Sequence, residues 1–161
     1  MEETVFTEKK IIEVVKKKYN IDIHQVEKLN RGSANLYSLN DNKYILKEFQ
    51  SKYTRTEIEK EINIINHLQK DKIPVPEYLK TVDGNYSFIY EKKVIIMQKY
   101  IDGYTIESNT GNYNQVIESA EYLGKIVKSL SSLESDLPTN DVTEWYSKKV
   151  INESIEKQKK Y

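Results

Sequence analysis

The chain has 161 residues, 25 Lys plus Arg against 25 Asp plus Glu, two His and no Cys. That length suits one domain or slightly more and can bury roughly 70% of the surface of its unfolded chain, so no disulfide or metal staple is required. The lack of Cys excludes disulfides, iron–sulfur clusters, the usual structural zinc sites and a cysteine nucleophile, and the balanced charge removes any general attraction to nucleic acid or anionic membranes. His24 and His67 stand far apart in the sequence, which disfavours a His-rich metal site. No apolar run reaches the roughly 18 residues of a membrane span. The opening MEETVFTEKK has no apolar stretch of a secretory signal, so a cytosolic protein is the default expectation. Lys, Ile, Asn and Tyr are abundant while Arg occurs only at Arg31 and Arg55, a bias of A/T-rich codons that carries no functional weight.

Thr7 to Tyr19 reads as a helix, capped by Thr7, with Ile11, Ile12, Val14, Val15 and Tyr19 on its apolar face and Asn20 as its stop. Ile21, Ile23, Val26 and Leu29 alternate loosely as a strand. A run of turn formers follows, Asn30-Arg31-Gly32-Ser33-Ala34-Asn35. Leu36 to Leu39 and Tyr44 to Phe49 form a hairpin around Asn40-Asp41-Asn42. A helix opens at Thr54 or Thr56 and runs to about Lys70, its stripe made by Ile58, Ile62, Ile65 and Leu68. Pro74 and Pro76 end it. Tyr78 to Val82 and Tyr86 to Tyr90 flank Asp83-Gly84-Asn85 and predict a second hairpin. Val94 to Tyr100 is a further strand, bounded by Asp102-Gly103. A long helix extends from about Gln115 to Leu133, and a mostly polar one from Val142 to the C-terminus. Consecutive, hairpin-linked strands give a mainly antiparallel sheet of five or six strands, and the class is α+β.

Three features could carry chemistry. Glu61 falls within the apolar side of the second helix, where a carboxylate needs a cationic partner unless it reaches the stripe's edge and snorkels to water. In Tyr44-Ile45-Leu46-Lys47-Glu48-Phe49, alternation places Lys47 on one face and Glu48 on the other, so one charge lies among apolar residues whichever face is inside. Lys47 is either the mate of Glu61 or a solvated lysine on an edge strand. The Gly32-Ser33-Ala34-Asn35 turn can cradle phosphate oxygens with its N–H groups, or it is only a turn. It is not a GxxxxGK[ST] loop. A glycine turn, a strand lysine, a helix glutamate and an apolar strand ending in Gly103 follow the order of a kinase small lobe.

At these residues the sequence resembles the aminoglycoside phosphotransferase-like kinases. The resemblance runs through Leu29 to Tyr37 (nucleotide loop), Tyr44-Ile45-Leu46-Lys47, Glu61 to Leu68 with Ile73-Pro74-Val75-Pro76, Ile96 to Gly103 (hinge) and Tyr122 to Leu130 (opening helix of the large lobe). The Lys80 to Gly84 segment and the Tyr-Ile-Asp-Gly hinge resemble the bacterial spore-coat, CotS-type branch. The resemblance covers about residues 25 to 133. It implies a kinase-like N-terminal lobe over residues 1–103 and the start of a helical C-terminal lobe over 104–161. It further implies that Gly32, Ser33 and Asn35 lie near the triphosphate of ATP or GTP, that Lys47 binds the α- and β-phosphates and that Glu61 orients it. Met97 takes the gatekeeper place, and the backbone of Gln98 and Tyr100 meets the base.

The family's catalytic loop, H-x-D-x-x-x-x-N, has no counterpart here: His24 is followed by Gln25-Val26, His67 by Leu68-Gln69, and no His follows. No catalytic residue and no ligand for Mg²⁺ is therefore assigned, and the chain reads as a truncated kinase, inactive alone, with no nucleotide firmly expected on it. The acceptor of the phosphoryl group is open. Two other readings stand beside this one: a non-catalytic kinase-like module in a spore-coat or scaffold role, and an unrelated α+β domain. The apolar face of the Gln115–Leu133 helix predicts self-association. Nucleic acid and membrane are not expected partners, and the expected location is cytoplasmic or spore-associated.

Overall fold

Helix α1 spans Glu8–Tyr19 in the computed structural model, which describes residues 2–30, 32, 34–107 and 110–133. Ser33 and the helix expected from Val142 lie outside the described residues. Thr7 caps α1 by accepting the Lys10 N–H, and Glu8 at its start and Lys16, Lys17 and Lys18 at its end match the helix dipole. Asn20 adopts the left-handed conformation, φ 53°, and returns its N–H to the Lys16 carbonyl.

Five strands follow: β1 (Val26–Leu29), β2 (Asn35–Leu39), β3 (Tyr44–Glu48), β4 (Ser87–Tyr90) and β5 (Lys93–Lys99). They form one sheet in the order β1-β2-β3-β5-β4, every neighbouring pair antiparallel. Helix α2 (Arg55–Lys70) joins β3 to β4, and α3 (Tyr113–Leu130) follows the sheet. A capping box starts α2: Thr54 accepts the Glu57 N–H, and Glu57 accepts the Thr54 N–H. This is the α+β arrangement of the sequence reading, with five strands.

The second hairpin is placed differently from the expectation. Asp83-Gly84-Asn85 does turn, with Gly84 at φ 79° and the Gly84 N–H on the Thr81 carbonyl, but the flanking residues do not pair as strands. Residues 77–79 instead run along the end of β5. Tyr78 bridges Gln98, the Leu79 N–H donates to Met97 and the Lys99 N–H to Glu77. The hairpin partner of β4 is β5, joined by Glu91 and Lys92, both at positive φ. A two-residue left-handed turn is favoured between strands because its twist matches theirs, even without the usual Asn-Gly.

The sheet is covered on both faces. On one, Val14 and Val15 of α1, with Phe6, pack on Leu39, Leu46 and Met97. On the other, Ile58 and Ile62 of α2 pack on Tyr78, Val94 and Ile96. Each fully buried aliphatic or aromatic side chain contributes up to about 1.5–3 kcal/mol. Helix α3 touches the rest near its C-terminal end: His67 Nε2 donates to the Ser129 carbonyl at 3.0 Å, and Ser129 Oγ donates to Asp71 at 2.6 Å. Val116, Leu123 and Val127 of α3 are exposed. Among the described residues no helix is long and apolar enough to cross a membrane.

Candidate functional site

Strand alternation decides which side chains meet. Lys47 lies opposite Ile96 in the β3–β5 register and therefore on the α2 face, while Glu48 lies opposite Ile95 on the α1 face. The sequence left one charge to be placed inside. Because both faces are covered, Glu48 is fully buried and Lys47 half-buried.

On the α2 face the Lys47 ammonium stands 5.9 Å from the centre of the Tyr78 ring. The Tyr78 hydroxyl donates to Glu61 Oε1 at 3.4 Å. Glu61 comes from α2, Lys47 from β3 and Tyr78 from the segment bridged to β5, so three elements converge. The buried Lys47–Glu61 ion pair expected from sequence is not formed. Glu61 is exposed at the rim of α2, and Lys47 has no ion-pair partner within 4.0 Å among the described residues. The two charges meet through the tyrosine instead. Burial lowers the Lys47 ammonium below its ordinary value, and the charge of Glu61 works against that shift. Burial, then the nearby Glu61 charge and hydrogen bond, push the Tyr78 hydroxyl up to about 12. A half-buried cation without a neutralising carboxylate can hold an anion, since its field is less screened than at the surface.

The other expected site residues divide by face. Gly32 adopts φ 77°, a conformation that favours glycine, although a Cβ there would meet only ordinary contact at 3.7 Å from Leu36. Asn35 does not face the Lys47 side. It lies opposite Glu48, is buried, and its Nδ2 donates to the Glu2 carbonyl at 3.2 Å. Met97 likewise lies opposite Leu46 and is fully buried in the α1-side core, so its side chain does not line the Lys47 face. The β5 positions that share that face are Val94, Ile96 and Gln98, and the Gln98 Oε1 is buried with no hydrogen-bond partner among the described residues. The Tyr100 N–H is already used, donating to the Lys43 carbonyl at 3.1 Å.

The sequence reading missed two things. Tyr78 was read only as a strand residue, and a tyrosine after Pro76 carries no local signal for its contact with Lys47. The second is the buried pair on the far face, Glu48 Oε1 to Lys93 Nζ at 2.7 Å. Tyr37, the Val5 N–H and Thr4 also bond the Glu48 carboxylate, and Lys93 also donates to the Glu3 carbonyl. The amphipathic N-terminal helix was the available signal for it, because it covers that face. Among the described residues no group of three or more His, Cys, Asp or Glu gathers as metal ligands.

Comparison with known proteins bears on the fold and the family. No curated protein matches the chain in sequence. Among solved structures, it is similar to the amicoumacin kinase hAmiN in complex with AMP-PNP, Ca²⁺ and Ami, at 17% identity and a TM-score of 0.71, covering 89% of this chain and 46% of that one. It is also similar to the spectinomycin phosphotransferase APH(9)-Ia in complex with ADP and spectinomycin, at 18% identity and a TM-score of 0.64, covering 88% and 45%. A microcompartment-associated aminopropanol kinase matches at 19% identity and a TM-score of 0.51, covering 75% and 39%. The chain thus spans less than half the length of these structures, whose likeness shows a shared fold. Residues 25–157, most of the sequence, match the model of the phosphotransferase enzyme family, and the chain belongs to that family.

Proposed function

We propose that this chain is the nucleotide-binding part of an ATP-dependent small-molecule phosphotransferase of the aminoglycoside- and choline-kinase-like kind. The observation that carries the reading is the Lys47 ammonium, half-buried and free of a carboxylate partner among the described residues, facing Tyr78 and Glu61 beside the β5 strand. Phosphoryl transfer depends on holding the triphosphate and neutralising its charge, and Lys47 would bind its α- and β-phosphates there. Gly32 and Ser33 would lie along the phosphates. Gln98 and the strand end at Tyr100 would border the base of ATP or GTP. Residues 1–103 form the nucleotide lobe in this reading, and 104–161 begin the helical lobe. The acceptor is a small molecule chosen outside these residues, and the location is cytoplasmic or spore-associated.

The supporting experiment is a calorimetric titration of the chain with Mg²⁺–ATP and Mg²⁺–GTP. Weak saturable binding is expected, lost by at least about tenfold in Lys47→Met, as for removal of one charge-assisted contact. Equal affinity in the two proteins would refute the role of Lys47. A second reading, a non-catalytic kinase-like module in a spore-coat or scaffold role, is favoured by the lack of Asp two residues after either His. No phosphoryl transfer is expected from residues 1–161 alone, and turnover by them would count against both readings. Self-association through the exposed face of α3 belongs to the same proposal.

A further inference from the structure

Tyr78 occupies a position that no apolar core requirement explains by itself. Its ring lies within the α2-side core and is buried, yet its two functional ends address the two charges of the site. The ring face lies 5.9 Å from the Lys47 ammonium, and the hydroxyl donates to Glu61 at 3.4 Å. Its backbone is pinned as well. Tyr78 bridges Gln98, and hydrogen bonds of 2.8 Å (Leu79 N–H to Met97) and 2.9 Å (Lys99 N–H to Glu77) flank that bridge. Pro74 and Pro76 stiffen the approach.

On the basis of the proposed nucleotide site, we infer that Tyr78 is its positioning residue, holding Lys47 through the ring face and Glu61 through the hydroxyl so that the ammonium is placed without being neutralised. The physical difference from a closed ion pair is one of net charge. A carboxylate in contact would satisfy the ammonium and compete with an incoming phosphate. An aromatic face attracts the cation through its quadrupole but carries no net charge, so the positive field remains available. Glu61, kept one tyrosine away, still favours the protonated amine without capping it, in the direction of its effect on Lys47. Tyr78 acts through Lys47 and touches no reacting atom in this scheme.

The test uses the full 161-residue chain without nucleotide. The pH dependence of Lys47 acetylation by trace acetic anhydride, read by peptide mass spectrometry, gives the midpoint of that amine in the wild type, Tyr78→Phe, Glu61→Gln and the double variant. Both single variants are expected to lower the midpoint, and the double variant to lower it no further than Glu61→Gln. The reason is that the hydroxyl and the carboxylate form one link, and members of one link do not add. An unchanged or raised midpoint in folded Tyr78→Phe, or fully additive shifts, overturns the inference, since a residue that only fills the core would leave Lys47 alone. If Tyr78→Phe does not fold, Glu61→Gln from its exposed position still probes the link, and an unchanged Lys47 midpoint there overturns it too. In the nucleotide titration Tyr78→Phe is expected to weaken Mg²⁺–ATP by about threefold to tenfold, and equal affinity counts against the inference. Should the wild type bind no nucleotide, the functional reading fails, while the acetylation cycle still decides what Tyr78 does.

Discussion

Removing one partner of the Glu48–Lys93 pair should be among the most damaging single changes in this chain. The two side chains are 0% and 5% exposed and 2.7 Å apart. Glu48 also accepts from Tyr37 Oη at 3.3 Å and from the Val5 N–H at 3.2 Å. Lys93→Met leaves a buried carboxylate with neutral donors only, and losing one member of a buried pair costs about 3–5 kcal/mol. For a domain of this size that is a fall of roughly 6–20 °C in melting temperature. Replacing both, as Glu48→Leu with Lys93→Met, removes the stranded charge. It leaves the Val5 N–H and one of the mutually bonded Tyr37 and Thr4 hydroxyls without an acceptor, neutral groups whose loss costs less than a stranded charge. The double variant should therefore be more stable than Lys93→Met alone. Urea unfolding monitored by circular dichroism of the wild type, the single and the double variant measures this. A loss below about 1 kcal/mol in Lys93→Met, or a double variant worse than the single, would refute the argument that burial sets the value of this pair.

Two further outcomes follow from exposure and titration. Tyr78 titrates at about 12 in the fold against an ordinary 10.0, and burial raises Tyr19 as well. Between those values the native state holds more protons than the unfolded chain, so stability falls as pH rises through that window. Lys47, shifted downward from 10.5, acts with the opposite sign, its unfolded form holding more protons just below that value. Tyr78→Phe should flatten the alkaline loss in stability-versus-pH curves, and an unaltered slope would contradict it. The second outcome concerns α3, where Leu123 and Val127 are each 61% exposed. Leu123→Glu with Val127→Lys should reduce self-association in sedimentation velocity while leaving the melting temperature within a degree or so, because neither side chain is buried in the monomer. A wild type that stays monomeric at high concentration would remove the basis for this prediction.

Much of the fold could be read locally. Thr7, Asn20 and Thr54 mark helix ends by their own hydrogen bonds, and the apolar stripes of α1 and α2 repeat at helical spacing. The β2–β3 hairpin announced itself through Asn40-Asp41-Asn42, all three at positive φ. The β4–β5 connection did not, because Glu91-Lys92 adopts left-handed backbone without the residues that usually favour it. The Asp83-Gly84-Asn85 turn was real, but the competition for the edge of β5 is settled by long-range pairing that turn chemistry does not encode. For the site, period-two alternation correctly separated Lys47 from Glu48. The same rule, applied across the β3–β5 register, removes Asn35 and Met97 from the Lys47 face. That register is a tertiary fact. The exposure of Glu61 fits the alternative that its place at the stripe left open, a carboxylate at the edge reaching water.

The first residues of the chain are sewn across the middle of the sheet. Glu2 bonds Ser51 and Asn35, Glu3 bonds Lys93, and Thr4 bonds Glu48. These partners belong to β2, β3, β5 and the segment after β3, and Lys93 is separated from Glu3 by 90 positions. This arm is synthesised before every one of its partners, and its anchors are complete only when β5 has been made. The arm is therefore among the last elements to find its place, a fastener that closes once the strands it binds are already side by side.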